Sequence, residues 1–564
     1  MTTWDKSVDL VIAGSGGGGL VAAIAAIDEG LEPLVLEKQA IVGGSTGLSG
    51  GIFWLPNNPL MRAEGIADSH EDGLAYLEAV VGDVGPASSP ERREMFLRAG
   101  NEMTSFLQRK GLKLVRCHGY ADYYSNRPGG SAEGRSVEGV PYDSSELGPW
   151  AQKLAPSLAK SVGYVVKTNE LRSLQYFNRS PQSFAIASKV FARTRLAKLR
   201  HQDLLTNGAS LVGQLLKVLM VLNGEPPIFT GSPVQDLVVE DGRVVGVRVE
   251  HDGNAMNIEA RRGVLLAAGG FGHNPEMRRA YSGDQPNEAQ WSIANAGDTG
   301  EVLQSAIHLG AKTDLLDEAW WLPSTSRTLG AAAQSVGQAR QRPGAIFVDS
   351  TGKRFCNESN SYVEVGKAMY ANKAVPCWVV FDEGYVRRYA ATANPLQRGL
   401  PPESIDSGAI RKADTLEELA RQIDVDPDGL SRTVARFNEY ARKGLDPDFG
   451  RGQSAYNDCL GDPGFRPNRA IGALDRAPFY ATEVYPGDVG TCGGVVTDQY
   501  ARVLDQNDRP IPGLYATGNI TATVMGRTYP GAGASVANTM VFGYVAARHA
   551  GGGRLPDTPG VGTG

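Results

Sequence analysis

Residues 8–27 read Val8-Asp9-Leu10-Val11-Ile12-Ala13-Gly14-Ser15-Gly16-Gly17-Gly18-Gly19-Leu20-Val21-Ala22-Ala23-Ile24-Ala25-Ala26-Ile27, and this stretch decides the fold. Val8 to Ala13 reads as a short buried strand and Gly14 to Gly19 as a glycine turn. Leu20 to Glu29 reads as an alanine-rich helix closed by Gly30. Leu34 to Leu36 is then a second strand ending at Glu37, which completes a β-α-β unit. Gly14, Gly16 and Gly19 satisfy G-x-G-x-x-G in that context, with Gly17 beside them. The first glycine permits the tight turn, the second lets backbone approach a pyrophosphate, and the third allows close helix packing. The helix N-terminus adds its partial positive charge. Glu37 lies 18 residues beyond Gly19, where it accepts from ribose hydroxyls and disfavours a 2′-phosphate. The ligand is a dinucleotide of the NAD or FAD kind, and this motif does not choose between them.

Further along, Val234 to Val249 alternates around Asp241-Gly242 and predicts a hairpin. Gly263 to Ala268 reads as a buried strand ending in Gly269-Gly270. The run Gly513-Leu514-Tyr515-Ala516-Thr517-Gly518-Asn519 repeats that pattern, and a last helix spans about Ser535 to His549. The tail from Gly551 is rich in glycine and proline and reads as disordered. The fold class is therefore α/β, built on a Rossmann-like dinucleotide-binding domain.

Composition agrees. Glycine supplies 70 of 564 residues with no collagen-like period, well above a usual ~7 %. Charged residues are 21 %, the net charge is -6 and the pI is about 5.8, which gives no support to nucleic acid as a partner. The five cysteines, at 117, 356, 377, 459 and 492, form no C-x-x-C pair, so neither a disulfide framework nor a metal site is expected. A reducing cytoplasm fits. No signal peptide or apolar run long enough for a spanning helix is read. One segment stands apart: Lys153 to Arg200 holds ten Lys or Arg against the single acid Glu170, a charge of +9 that leaves -15 for the rest. The segment is a basic insertion at about 150–205, either a surface for anionic lipid or a solvated helical hairpin.

A second glycine cluster chooses the cofactor. Glu37-Lys38 is followed by Gly43-Gly44-Ser45-Thr46 and Ser49-Gly50-Gly51, a pattern that resembles the flavoprotein family containing fumarate reductases and 3-ketosteroid dehydrogenases. The resemblance implies FAD, with these small and hydroxyl residues along the pyrophosphate and flavin. The strand end Ala268-Gly269 and the pair Gly518-Asn519 match the same family. It implies non-covalent FAD, because residues 43–51 contain no histidine.

Three more segments resemble the 3-ketosteroid Δ1-dehydrogenases: Ala121-Asp122-Tyr123-Tyr124, Arg354 to Tyr362, and Gly526-Arg527-Thr528-Tyr529-Pro530-Gly531-Ala532-Gly533. The likeness spans the chain apart from the basic insertion and the tail. By matched position, Tyr362 is the base that takes a proton from carbon 2 of the steroid, and Tyr123 assists it. The Tyr529 hydroxyl and the Gly533 N–H hold the 3-keto oxygen. The Tyr123 or Tyr124 register stays open in the sequence. The chemistry is coherent: a proton beside a ketone needs a polarised carbonyl, and each preorganised donor can be worth roughly 3–4 kcal/mol. A tyrosine, ordinarily near pKa ~10, must be made more acidic by a hydrogen-bonding neighbour or a positive charge. The N–H groups at Ser535 and Val536 would face the flavin, where the helix dipole favours negative charge. The run Ala534-Ser535-Val536-Ala537 departs from relatives that carry a further glycine after the Gly533 position.

The resemblance implies a discontinuous FAD domain, 1–322 plus 488–564, with an α+β catalytic cap at 323–487. Trp320, Trp321 and Leu322, near one boundary, either line the substrate cleft or pack between lobes. The expected partners are a 3-ketosteroid and an external electron acceptor, of which a membrane quinone suits the basic insertion; the expected place is the cytoplasm, with peripheral contact at the inner face of its membrane. The rival readings are a 3-keto-5α-steroid Δ4-dehydrogenase, a fumarate-type reductase, and a non-catalytic flavin electron carrier.

Overall fold

The computed structural model describes residues 2–156, 162–325, 334–336, 339–389 and 399–556. Its largest sheet has eight strands, with Lys6–Ala13 at the centre. That strand pairs in parallel with Pro33–Leu36 on one side and Asn254–Leu266 on the other. Ile228–Phe229 lies beyond Pro33–Leu36, while Pro510–Ala516 and then Arg502–Leu504 lie beyond Asn254–Leu266. Leu10, Val11, Ile12 and Val35 are fully buried, as parallel strands covered on both faces require.

The first helix, Gly17–Asp28, begins earlier than the sequence reading places it. Its first turn is glycine because no side chain fits there. A Cβ on Gly19 would stand 2.0 Å from the Gly14 oxygen, and one on Gly18 would stand 2.6 Å from the Thr539 oxygen. Gly14 itself, at φ 111°, makes the turn. The last helix, Ala534–Gly551, crosses this one, and Gly543 rests on Gly18.

Asp241 and Gly242 both have positive φ, 50° and 75°, which is the two-residue turn that the Asp-Gly pair predicts between Val234–Glu240 and Arg243–His251. The strand expected at 263–268 is longer, Asn254–Leu266. Its first half pairs antiparallel with that hairpin, and its second half joins the parallel core. Exposed polar residues such as Asn254 and Arg261 hide the first half from an apolar-run reading.

A second sheet is antiparallel. Ala319–Ser324, Phe479–Thr491, Cys377–Asp382 and Ala345–Val348 lie in that order, with Arg411–Ala413 also paired to Phe479–Thr491. Two of these strands run through residues 322–323 and 487–488, where the sequence reading divides the lobes. The basic segment is a helical hairpin, Thr168–Gln175 and Pro181–Leu199, closed over Val166, Leu174, Ala187 and Val190. Lys160 and the tail at 557–564 lie outside the described residues. Among the described residues no helix is long and apolar enough to cross a membrane.

Candidate active site

A cavity of about 660 Å³ runs past the carboxyl ends of the parallel strands, the place where open α/β sheets bind ligands. Gly14, Gly16, Gly17, Glu37 and Lys38 line one part of it. The Glu37 carboxylate accepts from the Ser15 N–H at 3.1 Å and hydroxyl at 2.5 Å, and from the Gln39 N–H at 2.8 Å. The Ser15 hydroxyl also accepts from the Gly43 N–H at 3.0 Å, so Glu37 ties the two glycine clusters together. Lys38 is held by Thr299 at 2.5 Å and Glu301 at 3.1 Å.

Gly44, Ser45, Thr46, Ser49 and Gly50 line the middle. Thr46 Oγ1 accepts from the Gly17 N–H at 3.1 Å, which joins this segment to the first helix. Ala268 and Gly269 enter from one strand end, and Gly518 and Asn519 from another. Three sequence-predicted residues, Gly19, Gly43 and Gly51, do not line the cavity. They shape its walls: Gly43 and Gly51 have φ 108° and 65°, and a Cβ on Gly51 would stand 2.3 Å from the Asn207 backbone.

The lining also holds Asp298, which sequence reasoning missed. It accepts from Ser45 Oγ at 3.2 Å, and burial pushes its carboxyl up to about 7. Its signal was the run Asn295-Ala296-Gly297-Asp298-Thr299-Gly300, small and polar residues directly before helix Glu301–His308.

The residues present fit a dinucleotide. Where a Cβ on Gly16 would stand there is no atom within 4 Å, so that backbone is bare towards the cavity. The volume falls within the ~300–1,000 Å³ of cofactor sites. Among the described residues the lining contains no histidine or cysteine. Cys356 and Cys492 are buried away from the lining, and burial pushes both thiols up.

At the opposite part of the cavity the three predicted tyrosines meet. The Tyr362 and Tyr529 ring centroids are 5.1 Å apart, those of Tyr123 and Tyr529 5.6 Å, and those of Tyr123 and Tyr362 5.5 Å. Backbone bonds impose this convergence: the Tyr123 N–H donates to the Pro530 carbonyl at 3.0 Å, and Tyr76 Oη donates to the same carbonyl at 2.7 Å. Tyr124 turns away, its hydroxyl on Glu364 at 2.9 Å. Tyr362 opens helix Tyr362–Ala371. Burial, then the neighbouring Tyr529 phenol, pushes Tyr362 well above the ordinary tyrosine range, while a hydrogen bond with Tyr123 opposes the rise. Burial likewise raises Tyr123.

The Tyr529 hydroxyl shares a hydrogen bond with Ser535 Oγ at 3.0 Å. Gly533, at φ 91°, is the N-cap of Ala534–Gly551, and a Cβ there would stand 2.2 Å from the Ile52 oxygen. Its N–H meets no acceptor among the described residues, and the same holds for the N–H groups of Ser535 and Val536 in the first turn. All three residues line the cavity. Trp320, Trp321 and Leu322 do not: Trp320 is buried edge-on against Tyr529 at 5.1 Å and donates to Asn519 at 3.0 Å, and Trp321 packs against Tyr370. Tyr120 joins the lining beside the predicted 121–124 segment, and the Tyr456 ring lies tilted against Tyr123 with centroids 4.4 Å apart. No motif marked Tyr456, because tertiary packing alone brings helix Ala455–Leu460 to this place.

Comparison with known proteins agrees with this geometry. A family described as "FAD binding domain" matches residues 9–536. The 3-oxosteroid 1-dehydrogenase of Mycolicibacterium smegmatis is 40 % identical over 559 residues, covering 96 % of this chain and 97 % of the relative. The 4-oxocyclohex-2-ene-1-carboxylate 5-dehydrogenase of Sinomonas cyclohexanicum is 33 % identical, covering 96 % and 93 %. Among solved structures, the 3-ketosteroid Δ1-dehydrogenase of Sterolibacterium denitrificans, in complex with 1,4-androstadiene-3,17-dione, superposes with a TM-score of 0.91 at 34 % identity, covering 97 % of this chain and 100 % of that one.

Proposed function

The chain belongs to the FAD-binding flavoproteins, the family of its 3-oxosteroid 1-dehydrogenase relatives, and on that premise we propose that it desaturates 3-ketosteroids between carbons 1 and 2. The observation that carries this reading is the meeting of Tyr123, Tyr362, Tyr529 and the Gly533 N–H in one cavity with the glycine cradle. Lys38 is the only cation among the described lining residues, and Thr299 and Glu301 hold it. The site therefore grips a ketone and offers no free cation to a carboxylate, which separates it from a fumarate-type reductase.

In this reading Tyr529 Oη and the Gly533 N–H donate to the 3-keto oxygen and favour enolate charge there. Tyr362 removes the carbon 2 proton, and Tyr123 supports it by a hydrogen bond. When bound, FAD would supply a two-electron oxidant for the hydride of carbon 1. Gly14, Gly16, Gly17, Glu37, Ser45, Thr46, Ala268, Gly269, Gly518 and Asn519 would hold it, and the open N–H groups of Ser535 and Val536 would bear on it. Residues 1–322 with 488–564 form the cofactor lobe of this reading, and 323–487 the cap.

The helix Pro181–Leu199 and the residue after it expose Phe184, Leu196 and Leu199 together with Lys189, Arg195, Lys198 and Arg200. This supports an enzyme that rests on anionic lipid. Flotation with anionic vesicles at low salt, lost at high salt, is the expected behaviour; no flotation removes the membrane contact.

The activity is tested by anaerobic titration of the yellow protein with androst-4-ene-3,17-dione. Flavin bleaching, with a new carbon 1 to carbon 2 double bond in the product, is expected. Bleaching by a 5α-saturated ketone alone, with a Δ4 product, would replace this reading by the Δ4 rival, and no reduction by any 3-ketosteroid would overturn both.

A further inference from the structure

The turn that launches Tyr362 hangs on Arg340. This arginine is 1 % exposed, and its Nη1 donates to the carbonyls of Glu358 and Asn360, the latter at 2.6 Å. Its Nε and Nη2 are buried with no hydrogen-bond partner. The carboxylate of Glu358 is engaged elsewhere, by Arg354 at 2.8 Å and Arg451 at 3.0 Å. A buried guanidinium left with open donors is costly unless something nearby carries negative charge when it matters.

Tyr456 lies beside this turn: Nε2 of Gln341, the residue after Arg340, donates to the Tyr456 hydroxyl at 3.4 Å, and Nδ2 of Asn457 donates to the Ser359 carbonyl at 2.9 Å. The Arg340 guanidinium counteracts the burial of the Tyr456 phenol, which stands at about 12. The Tyr456 and Tyr123 ring centroids are 4.4 Å apart, and those of Tyr123 and Tyr362 5.5 Å. The groups facing these phenols from the packed elements are Tyr120, Tyr529, Cys117 and Cys459, all of which hinder ionisation or are neutral. Of the groups that bear most strongly on Tyr120, Tyr123, Tyr362 and Tyr456, Arg340 alone is a cation.

We infer that Arg340 is an electrostatic positioning residue for the proton abstraction: a buried cation beside Tyr456, it stabilises negative charge on the linked phenols Tyr456, Tyr123 and Tyr362. Arg340 thereby opposes the burial that keeps Tyr362 protonated, so that more of the enzyme has lost the Tyr362 proton to water before turnover and can take one from carbon 2 during it. The inference rests on the desaturase reading above. A cation acting through a low-dielectric cluster keeps its influence over several ångströms, because little water screens it.

The test compares wild type, R340K, R340M and Y456F for the anaerobic rate of flavin reduction by a 3-ketosteroid, from about pH 6 to about pH 10. R340M is expected to be slower by about tenfold through this range, the mark of one unit of alkaline shift in a base that titrates above it. R340K should retain most of the profile. Y456F, which leaves the 358–360 turn intact, should shift in the same direction as R340M. The ultraviolet tyrosinate difference band, read without steroid and referenced to Y362F, should appear at higher pH in R340M than in wild type. Retained FAD shows that a variant is folded. An unshifted profile and an unshifted tyrosinate band in both R340M and Y456F overturn the inference. So does a loss in R340M with an unshifted tyrosinate band and with Y456F unaffected, which makes Arg340 a clamp for the turn. A wild-type enzyme that no 3-ketosteroid reduces overturns the desaturase reading instead, and the tyrosinate band still decides the role of Arg340.

Discussion

The Tyr123 ring stands edge-on to the Tyr362 ring, with centroids 5.5 Å apart and planes at 77°. Edge-to-face packing favours such a pair, yet here the backbone fixes it. The neighbouring Asp122 accepts from Trp54 Nε1 at 2.7 Å and from Arg135 at 2.9 Å, and Arg135 is itself paired with Asp68 at 2.6 Å. A buried ionic network thus holds Tyr123 in place before any substrate arrives, which is what a positioned base requires.

Tyr362→Phe removes the proton acceptor and leaves the ring packing. FAD content and steroid binding are expected to stay near wild type, while flavin reduction by the steroid falls by about 10²–10⁴. Stopped-flow absorbance measures both. A reduction rate close to wild type would dismiss Tyr362 as the base.

Tyr529→Phe deletes one of the two donors for the keto oxygen. Its reduction rate should fall by about 10²–10³, the usual range for one such donor. Ser535→Ala removes the 3.0 Å partner of that hydroxyl and frees it to rotate, so a smaller loss in the same step is expected. Equal kinetics for wild type and Tyr529→Phe would take Tyr529 out of the site.

Much of this was legible in the chain, and the reasons differ by residue. The Gly14 turn is visible because its φ of 111° excludes most side chains, so backbone demand appears directly as glycine. Tyr362 and Tyr529 were found through the segments around them, although nothing about a tyrosine by itself marks a base. Tyr456 and Arg340 escaped notice, since Tyr456 lies 333 residues from Tyr123 and 116 from Arg340, and no local pattern records proximity at such separations. The first half of Asn254–Leu266 was missed for another reason: it faces solvent, and an exposed strand does not read as an apolar run.

The tyrosine cluster sets a pH signature in both rate and stability. Tyr362 must be ionised to act, and burial raises it, so the reduction rate is expected to climb with pH through the neutral and alkaline range. Stability moves the other way. Tyr76, Tyr120, Tyr123 and Tyr362 all have folded values above the unfolded ~10, so the folded state holds their protons more tightly. Their contribution is complete below pH ~10 and is lost above it, as unfolded chains ionise first. Thermal unfolding midpoints should therefore drop steeply above pH ~10; a flat midpoint there would mean that these phenols ionise in the fold as they do in water.

The last helix meets the first at Gly543, where an added Cβ would stand 2.3 Å from the Gly18 oxygen. That atom is backbone and cannot swing aside, so Gly543→Ala must push the two helices apart. Overpacking of this kind typically costs ~1–3 kcal/mol. The displacement also reaches function, because the same last helix begins at Gly533 and carries Ser535 and Val536 into the cavity, while the first helix begins at Gly17 in the cradle. Gly543→Ala is therefore expected to lower the melting temperature and to weaken FAD retention together, the latter read from flavin fluorescence released on dilution. Gly47→Ala is the matched control: a Cβ there meets its nearest atom at 3.5 Å, an ordinary contact, and both quantities should stay near wild type. If Gly543→Ala keeps the wild-type melting temperature and cofactor, the crossing has slack, and the glycine-on-glycine contact does not hold the cradle to the tyrosine end of the site.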